Sequence, residues 1–266
     1  MTAAASLHGQ RILVTRPQGQ QASLSAAITR LGGKPVALPL ITISLIRNPK
    51  AQERLQDRIQ KLDQFGLIIF ISTNAVQFGA DLINSYWPRF PAGVKVLAIG
   101  PSTAAAAEHR LGCTISHSES GMNSEAVLEL PQLQDLGGER IAIFRGEGGR
   151  ELLAETLRRR GAEVDYLEVY RREPTSYDTD VVGEILAKPG LDILVLTSGE
   201  SLTALLNLAA EYMVRLVLLP LVVPSERVAE LARKAGFQNL YVAQGANDEA
   251  LLQAFQKIAL GADNKA

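Results

Sequence analysis

The chain repeats itself. RILVTRPQG begins at Arg11 and RIAIFRGEG at Arg140, and the match continues without a gap through Leu24 with Leu153 and Gly32 with Gly161. Three further pairs follow in the same order: IIFIST from Ile68 with ILVLTS from Ile193, Pro101-Ser102 with Pro224-Ser225, and GMNSEAVL from Gly121 with GANDEALL from Gly245. The spacing drifts around about 125 residues, and collinear matches of this kind point to a duplicated unit. The 266 residues then divide into two similar domains rather than one large one. A cleft between two domains is the default place for a ligand.

Each copy reads as α/β. The runs Arg11 to Pro17, Leu67 to Ser72, Lys95 to Gly100, Arg140 to Gly146, Asp192 to Ser198 and Arg215 to Ser225 are continuously apolar rather than alternating. That is the pattern of parallel strands covered by helices on both faces. The helices fall between them, at Ala22 to Leu31, Ala104 to Leu111, Leu152 to Arg160 and Val228 to Ala235, each followed by glycine as a C-terminal stop.

Composition narrows the function classes. Lys+Arg is 27 against Asp+Glu 28, a net charge of -1, so no overall field favours nucleic acid or an anionic membrane, and an anionic ligand must be held by local groups. The single cysteine, Cys113, excludes an intrachain disulfide and a zinc or iron–sulfur cluster and fits a reducing compartment. The leader MTAAASLHGQRILV lacks the pattern of a secretory signal, and the apolar run Leu216 to Val223, broken by Pro220, is too short to span a bilayer. A cytoplasmic protein is expected.

In open parallel sheets ligands sit beyond the carboxyl ends of the strands. Those ends read Thr15-Arg16-Pro17, Ser72-Thr73-Asn74, Gly100-Pro101-Ser102-Thr103, Arg145-Gly146, Thr197-Ser198-Gly199 and Pro224-Ser225. They are rich in hydroxyls, glycine and arginine and poor in acids and bases. Any one Ser, Thr or Asn here also reads as a helix N-cap, and the N–H groups that need caps can equally bind carboxylate or phosphate. Arg16 and Arg145 fall in corresponding places in the two copies, as ligands or as structural arginines.

Other motifs carry less. Gly146 to Arg150 lacks the G-x-G-x-x-G spacing and the acidic residue of a dinucleotide loop, and no phosphate-binding G-x-x-x-x-G-K-[ST] occurs. His8, His109 and His117 have no partners at metal-ligand spacing, which disfavours a metal site or a Ser-His-Asp triad. Arg158-Arg159-Arg160 reads as a solvated helix end. VDYLEVYRRE, Val164 to Glu173, alternates as an exposed two-sided strand whose counterpart in the repeat is Pro35 to Ile41. Its tyrosines, Tyr166 and Tyr170, read as packing residues unless the strand joins the two domains, which would set Tyr170 at the mouth of the cleft.

Taken together, Thr15-Arg16-Pro17, IFISTNAV from Ile69 to Val76, AIGPSTAAAAEHRLG from Ala98 to Gly112, LEVYR from Leu167 to Arg171 and ILVLTS from Ile193 resemble the uroporphyrinogen-III synthase family, over nearly the whole chain. One departure is Val222-Val223-Pro224-Ser225, where the first copy has Ile99-Gly100-Pro101-Ser102. The resemblance implies two similar parallel-sheet α/β domains joined by a two-stranded connector. One domain would comprise residues 1–40 plus 171–266, the other residues 45–165, with the connector strands at 38–44 and 166–170. A thin hinge of this kind implies domain motion around the substrate.

The activity implied is cyclisation of hydroxymethylbilane to uroporphyrinogen III, with loss of water and inversion of the last ring through a spiro intermediate, on the way to heme, siroheme and cobalamin. No cofactor and no metal are implied. Positioning does most of the work in such a reaction. Tyr170 is the implied helper for departure of the hydroxyl, with Tyr166 as the fallback, because a phenol is a hydrogen-bond donor at neutral pH. The substrate's roughly eight carboxylates would be shared among Arg16, Ser72, Thr73, Asn74, Gly100, Pro101, Ser102, Thr103, Arg145, Gly146, Thr197, Ser198 and Ser225. Sharing is required on magnitude: a helix terminus gives an anion only ~0.3–1 kcal/mol, micromolar binding needs ~8 kcal/mol, and hydrogen bonds to charged groups add ~1.5–3 kcal/mol each. A monomer is expected, with the small-molecule substrate as its partner, handed over transiently by the enzyme that makes it, and with no nucleic acid or membrane.

The readings from other classes are a non-catalytic two-domain metabolite-binding protein and a nucleotide-sugar transferase. The first usually brings a secretion signal or a helix-turn-helix, the second a longer chain with an acidic residue for the ribose or diphosphate, and neither feature is visible in the sequence.

Overall fold

A computed structural model describes residues 6–121, 123–187 and 190–263. The first five residues of the leader, Met122 in the repeat segment from Gly121, and the last three residues of the chain lie outside them. In chain order the elements are β1 (Arg11–Val14), α1 (Ala22–Arg30), β2 (Lys34–Ala37), β3 (Ile41–Ser44), α2 (Pro49–Gln60), β4 (Leu67–Phe70), α3 (Thr73–Tyr86), β5 (Lys95–Ala98), α4 (Pro101–Leu111), β6 (Ser116–His117) and α5 (Ser124–Leu128). They continue with β7 (Arg140–Gly146), α6 (Leu152–Arg159), β8 (Glu163–Pro174), α7 (Thr179–Leu186), β9 (Ile193–Val195), α8 (Gly199–Leu208), α9 (Met213–Leu216), β10 (Leu221–Val223), α10 (Glu226–Lys234), β11 (Leu240–Val242) and α11 (Asp248–Asp263).

Two sheets result. One runs β11-β10-β9-β1-β2, the other β3-β8-β7-β4-β5-β6, and the registered pairs within both are parallel. The chain divides into two compact units, Met1–Ile43 with Glu173–Ala266, and Ser44–Arg172. The division falls inside β3 and inside β8.

The unbroken apolar runs are explained by where alternate residues go. In the first unit Leu13, Leu194, Leu221 and Val223 join a core with Leu205, Val228 and Ala232, while Ile12, Val14, Ile193, Val195 and Val222 join another with Leu24, Ile28, Leu251 and Phe255. Both faces of the sheet are buried, so neither parity of residue can be polar. In the second unit Leu67, Ile69, Leu97, Ile141 and Ile143 pack with Leu153 and Leu157 of α6. Its other face lies under α3, where Gly79 comes so close that an added Cβ would stand 2.6 Å from Phe144 and 3.1 Å from Phe70. The glycine stops take the left-handed conformation, with φ of +78° at Gly32, +65° at Gly112, +95° at Gly161 and +96° at Gly236.

Three sequence expectations are corrected. Arg215 to Ser225 is a strand only over Leu221–Val223; its first part completes the helical turn α9, because Pro220 has no N–H to give a ladder. Pro35 to Ile41 is not one strand: β2 and β3 are separated at Leu38-Pro39-Leu40. The segment from Val164 is not exposed on both sides; β8 lies between β3 and β7, with Leu167, Val169 and Tyr170 buried.

Replacing Gly79 with alanine drives a methyl group into the Phe70–Phe144 contact. Overpacking of this kind costs about 1–3 kcal/mol. Urea unfolding of Gly79→Ala, followed by circular dichroism, is expected to show a loss of that size.

Candidate functional site

In the second unit the sheet register brings several strand ends to one level. Phe70 of β4 pairs with Ala98 of β5 and with Phe144 of β7. Two residues further on, the three strands reach Ser72, Gly100 and Gly146, and Gly146 pairs with Tyr170 of β8. The last pairing depends on a bulge: Arg145 pairs with Glu168, so Val169 is skipped. The skip explains why Val169 and Tyr170 are buried in succession and why simple alternation misjudged this strand.

Tyr170 is only 4% exposed. Its ring lies over Gly146, where an added Cβ would stand 2.5 Å from the ring, and stacks on Phe78 of α3 with centroids 5.7 Å apart. Its hydroxyl is 3.2 Å from Ser72 Oγ, and its carbonyl accepts the N–H of Glu147 at 2.8 Å. Ser72 is also the N-cap of α3, accepting from Ala75 N at 3.0 Å. Thr73 and Asn74 follow in the first turn of that helix. Gly100 is the N-cap of α4, with no side-chain cap bond; Pro101 and Ser102 are exposed, whereas Thr103 is buried.

Arg145 and Tyr166 form a cluster of their own. Arg145 is 2% exposed and donates to the carbonyls of Gly146 and Gly148 and to Glu151 Oε1. Its guanidinium stacks on the Tyr166 ring, 4.4 Å from the centroid, with Arg158 5.5 Å from the same centroid. Tyr166 Oη donates to Glu151 Oε2 at 2.7 Å. Burial first, and then this carboxylate, push the Tyr166 phenol up to about 12. The same hydrogen bond, with the nearby Arg145 and Arg158 charges, holds Glu151 below the usual carboxylate range. Glu151 is the residue that sequence reasoning missed: a carboxylate just past the loop Gly146 to Arg150, in which Gly148 and Gly149 have positive φ.

In the first unit Val14 pairs with Val195, and Val195 with Val222. Arg16, Thr197 and Pro224 lie two residues beyond. Ser198 caps α8 through reciprocal bonds with Ser201, while Ser225 precedes α10 without a side-chain cap bond. Thr15 is buried and donates to Val195 O at 2.5 Å. Arg16 is held inside its own unit by Asp248 and the Ala246 carbonyl. Partial burial alone would raise the Asp248 carboxyl, but hydrogen bonds from Ser23 and Arg16 and the Arg16 charge hold it below its ordinary range. Both strand-end arginines of the sequence reading are therefore engaged by protein acceptors.

A family model described as uroporphyrinogen-III synthase HemD matches residues 22–253. The uroporphyrinogen-III synthase of Salmonella typhimurium is 38% identical over 247 residues, 92% of this chain and 99% of that protein. The chain belongs to the uroporphyrinogen-III synthase family. It is an enzyme, a lyase of tetrapyrrole biosynthesis. The Escherichia coli K12 uroporphyrinogen-III synthase is 37% identical over 251 residues, covering 92% of this chain and 99% of that protein. In fold, the chain is similar to a crystal structure of a mutant uroporphyrinogen III synthase from Thermus thermophilus, with a TM-score of 0.59 at 20% identity over 95% of this chain and 99% of that one. Among the described residues no helix is long and apolar enough to cross a membrane.

The Arg16–Asp248 pair has a pH signature. A depressed carboxyl pKa contributes stability above its unfolded value of about 3.9, and the contribution is lost as pH falls through the lower folded value. Asp248→Asn should cost about 1 kcal/mol at pH 7 after allowing for partial exposure, and less near pH 2. Urea unfolding at the two pH values measures the difference.

Proposed function

We propose that this chain closes linear hydroxymethylbilane into uroporphyrinogen III, and that Tyr170 donates its phenol proton to the departing hydroxyl. The hydroxyl leaves as water, an azafulvene forms, and attack by the substituted carbon of the far ring through a spiro intermediate inverts that ring. The observation that carries the assignment is the contrast between the two tyrosines. Tyr170 Oη meets Ser72 Oγ at the level where β4, β5 and β7 end, while the Tyr166 proton is committed to Glu151. This contrast favours Tyr170 over Tyr166.

The substrate's carboxylates are then held by strand-end hydroxyls and amides. Ser102 and the N-termini of α4 and α10, which lack side-chain caps, favour this reading, because uncapped N–H groups are donors for anions. Arg16 and Arg145 serve as internal struts for the loops that carry those groups. The substrate curl is fixed by many modest contacts, so the catalytic contribution is chiefly orientation. No cofactor enters the scheme, and we read the protein as cytoplasmic, a reading that the lone cysteine, Cys113, fits.

We also read the two units as copies of one domain. Equating β1 with β7 and β9 with β4, as the sequence repeat does, makes the order β2-β1-β9-β10-β11 correspond to β8-β7-β4-β5-β6. Matching the row Val14, Val195 and Val222 to Phe144, Phe70 and Ala98 shifts two details by one residue: Pro101 corresponds to Ser225, and Thr15 rather than Arg16 to Arg145. On this view β3 and β8, where the units divide, form the two-stranded connector. Thr175 N donates to Leu40 O at 3.0 Å and Thr42 meets Thr175 through their hydroxyls at 2.9 Å, which supports pairing of these segments.

The test generates hydroxymethylbilane in situ and separates the product isomers. Isomer III is expected in excess, and isomer I alone would sink the activity. Tyr170→Phe should lower kcat about 10- to 100-fold, more than alanine at any of the strand-end hydroxyls, while Tyr166→Phe should stay within about twofold. A well-folded but inactive Ser102→Ala protein would overturn the shared grip.

A further inference from the structure

The hydroxyl pair of Ser72 and Tyr170 can be arranged in two directions. Ser72 Oγ already accepts the backbone N–H of Ala75, so one lone pair and its own proton remain for Tyr170 Oη at 3.2 Å. If the phenol donates to Ser72, its proton is tied up, as that of Tyr166 is by Glu151. If Ser72 donates, the donors run head to tail, from Ala75 N–H to Ser72 Oγ and from Ser72 O–H to Tyr170 Oη, and the phenol proton is left for a ligand. Donors in such a chain polarise one another, and this chain begins at the N-terminus of a fourteen-residue helix, whose N–H groups favour negative charge.

We propose that Ser72 is a positioning residue for the dehydration step: it donates its hydroxyl proton to Tyr170 Oη, which frees the phenol proton for the departing hydroxyl and stabilises the phenolate left behind. The proposal rests on the reading that Tyr170 assists loss of water, and it replaces the expectation that Ser72 binds a carboxylate. In the step, the substrate C–O bond breaks with its electron pair going to oxygen. The phenol proton joins that oxygen, water departs, and the pyrrole nitrogen lone pair is drawn into the ring to give an azafulvene cation. The phenolate regains a proton when ring closure releases one from the substrate. Ser72 O–H then faces an anion, and a hydrogen bond to an ionised acceptor is roughly twice as strong as a neutral one.

The rest of the Tyr170 environment predicts which kinetic constant moves. The ring is held by Gly146 and Phe78 and its carbonyl by Glu147, so removing the serine hydroxyl leaves the phenol in place and removes only the direction of its proton. The loss should appear in kcat, not in KM.

The experiment measures kcat and KM for isomer III formation in the wild type, Ser72→Ala, Ser72→Gly, Ser72→Thr, Tyr170→Phe and the double variant Ser72→Ala/Tyr170→Phe. Glycine is included because a helix N-terminus tolerates it better than alanine, which separates loss of the cap from loss of the donor. Ser72→Ala and Ser72→Gly are expected to lower kcat about five- to tenfold with KM within about twofold, and Ser72→Thr to restore kcat to within about threefold. In the Tyr170→Phe background, Ser72→Ala should have no further effect, since the group it serves is gone. A raised KM at unchanged kcat, or equal losses in both backgrounds, would overturn this proposal while leaving the activity intact. An unaltered kcat in Tyr170→Phe would overturn the role of the phenol and this proposal with it, and a wild type that yields only isomer I would overturn the activity itself.

Discussion

Burial of both faces of two parallel sheets is the constraint from which the other features follow. Strand residues of either parity go into apolar cores, Leu13 and Leu194 to one side and Ile12 and Val195 to the other. The central strands β4, β9 and β10 are buried throughout and carry no polar residue. For those strands polar groups gather where the strands stop, and parallel strands stop together, with helix N-termini beside them. The level set by Ser72, Gly100, Gly146 and Tyr170 is a consequence of register: the first three lie two residues beyond the buried row Phe70, Ala98 and Phe144, and the bulge that skips Val169 brings Tyr170, three residues beyond Leu167, to the same level.

Helix α3 ties this edge to the core. Its Gly79 lets it settle onto Phe70 and Phe144, its Phe78 stacks on Tyr170, and its N-cap Ser72 meets the Tyr170 hydroxyl. A helix seated by close packing therefore fixes a phenol to which it contributes no covalent link. The neighbouring β-bulge supplies the other half of the constraint by turning Tyr170 onto Gly146.

The charges act locally. With a net charge of -1, the chain has no overall field, and what electrostatics it has is set by neighbouring groups. Buried Arg145 braces the glycine loop after β7 and the Tyr166 ring, and Arg16 braces the start of α11. Both guanidinium groups donate to acceptors of their own unit, contacts that their place at strand ends did not reveal in the sequence.

The sequence alone determined the α/β class, the strand positions at Arg11, Leu67, Lys95 and Arg140, and the glycine helix stops, because apolar periodicity and left-handed φ are local properties read residue by residue. It also set apart the strand ends that carry hydroxyls. Tertiary structure decided what those groups touch. The partners of Arg16 and Arg145, the committed proton of Tyr166 and the Ser72–Tyr170 contact bring together residues from different strands and helices. The skipped Val169 moved Tyr170 to a buried place because bulge register depends on how β8 pairs with β7, and no pattern within one strand records its neighbour's register.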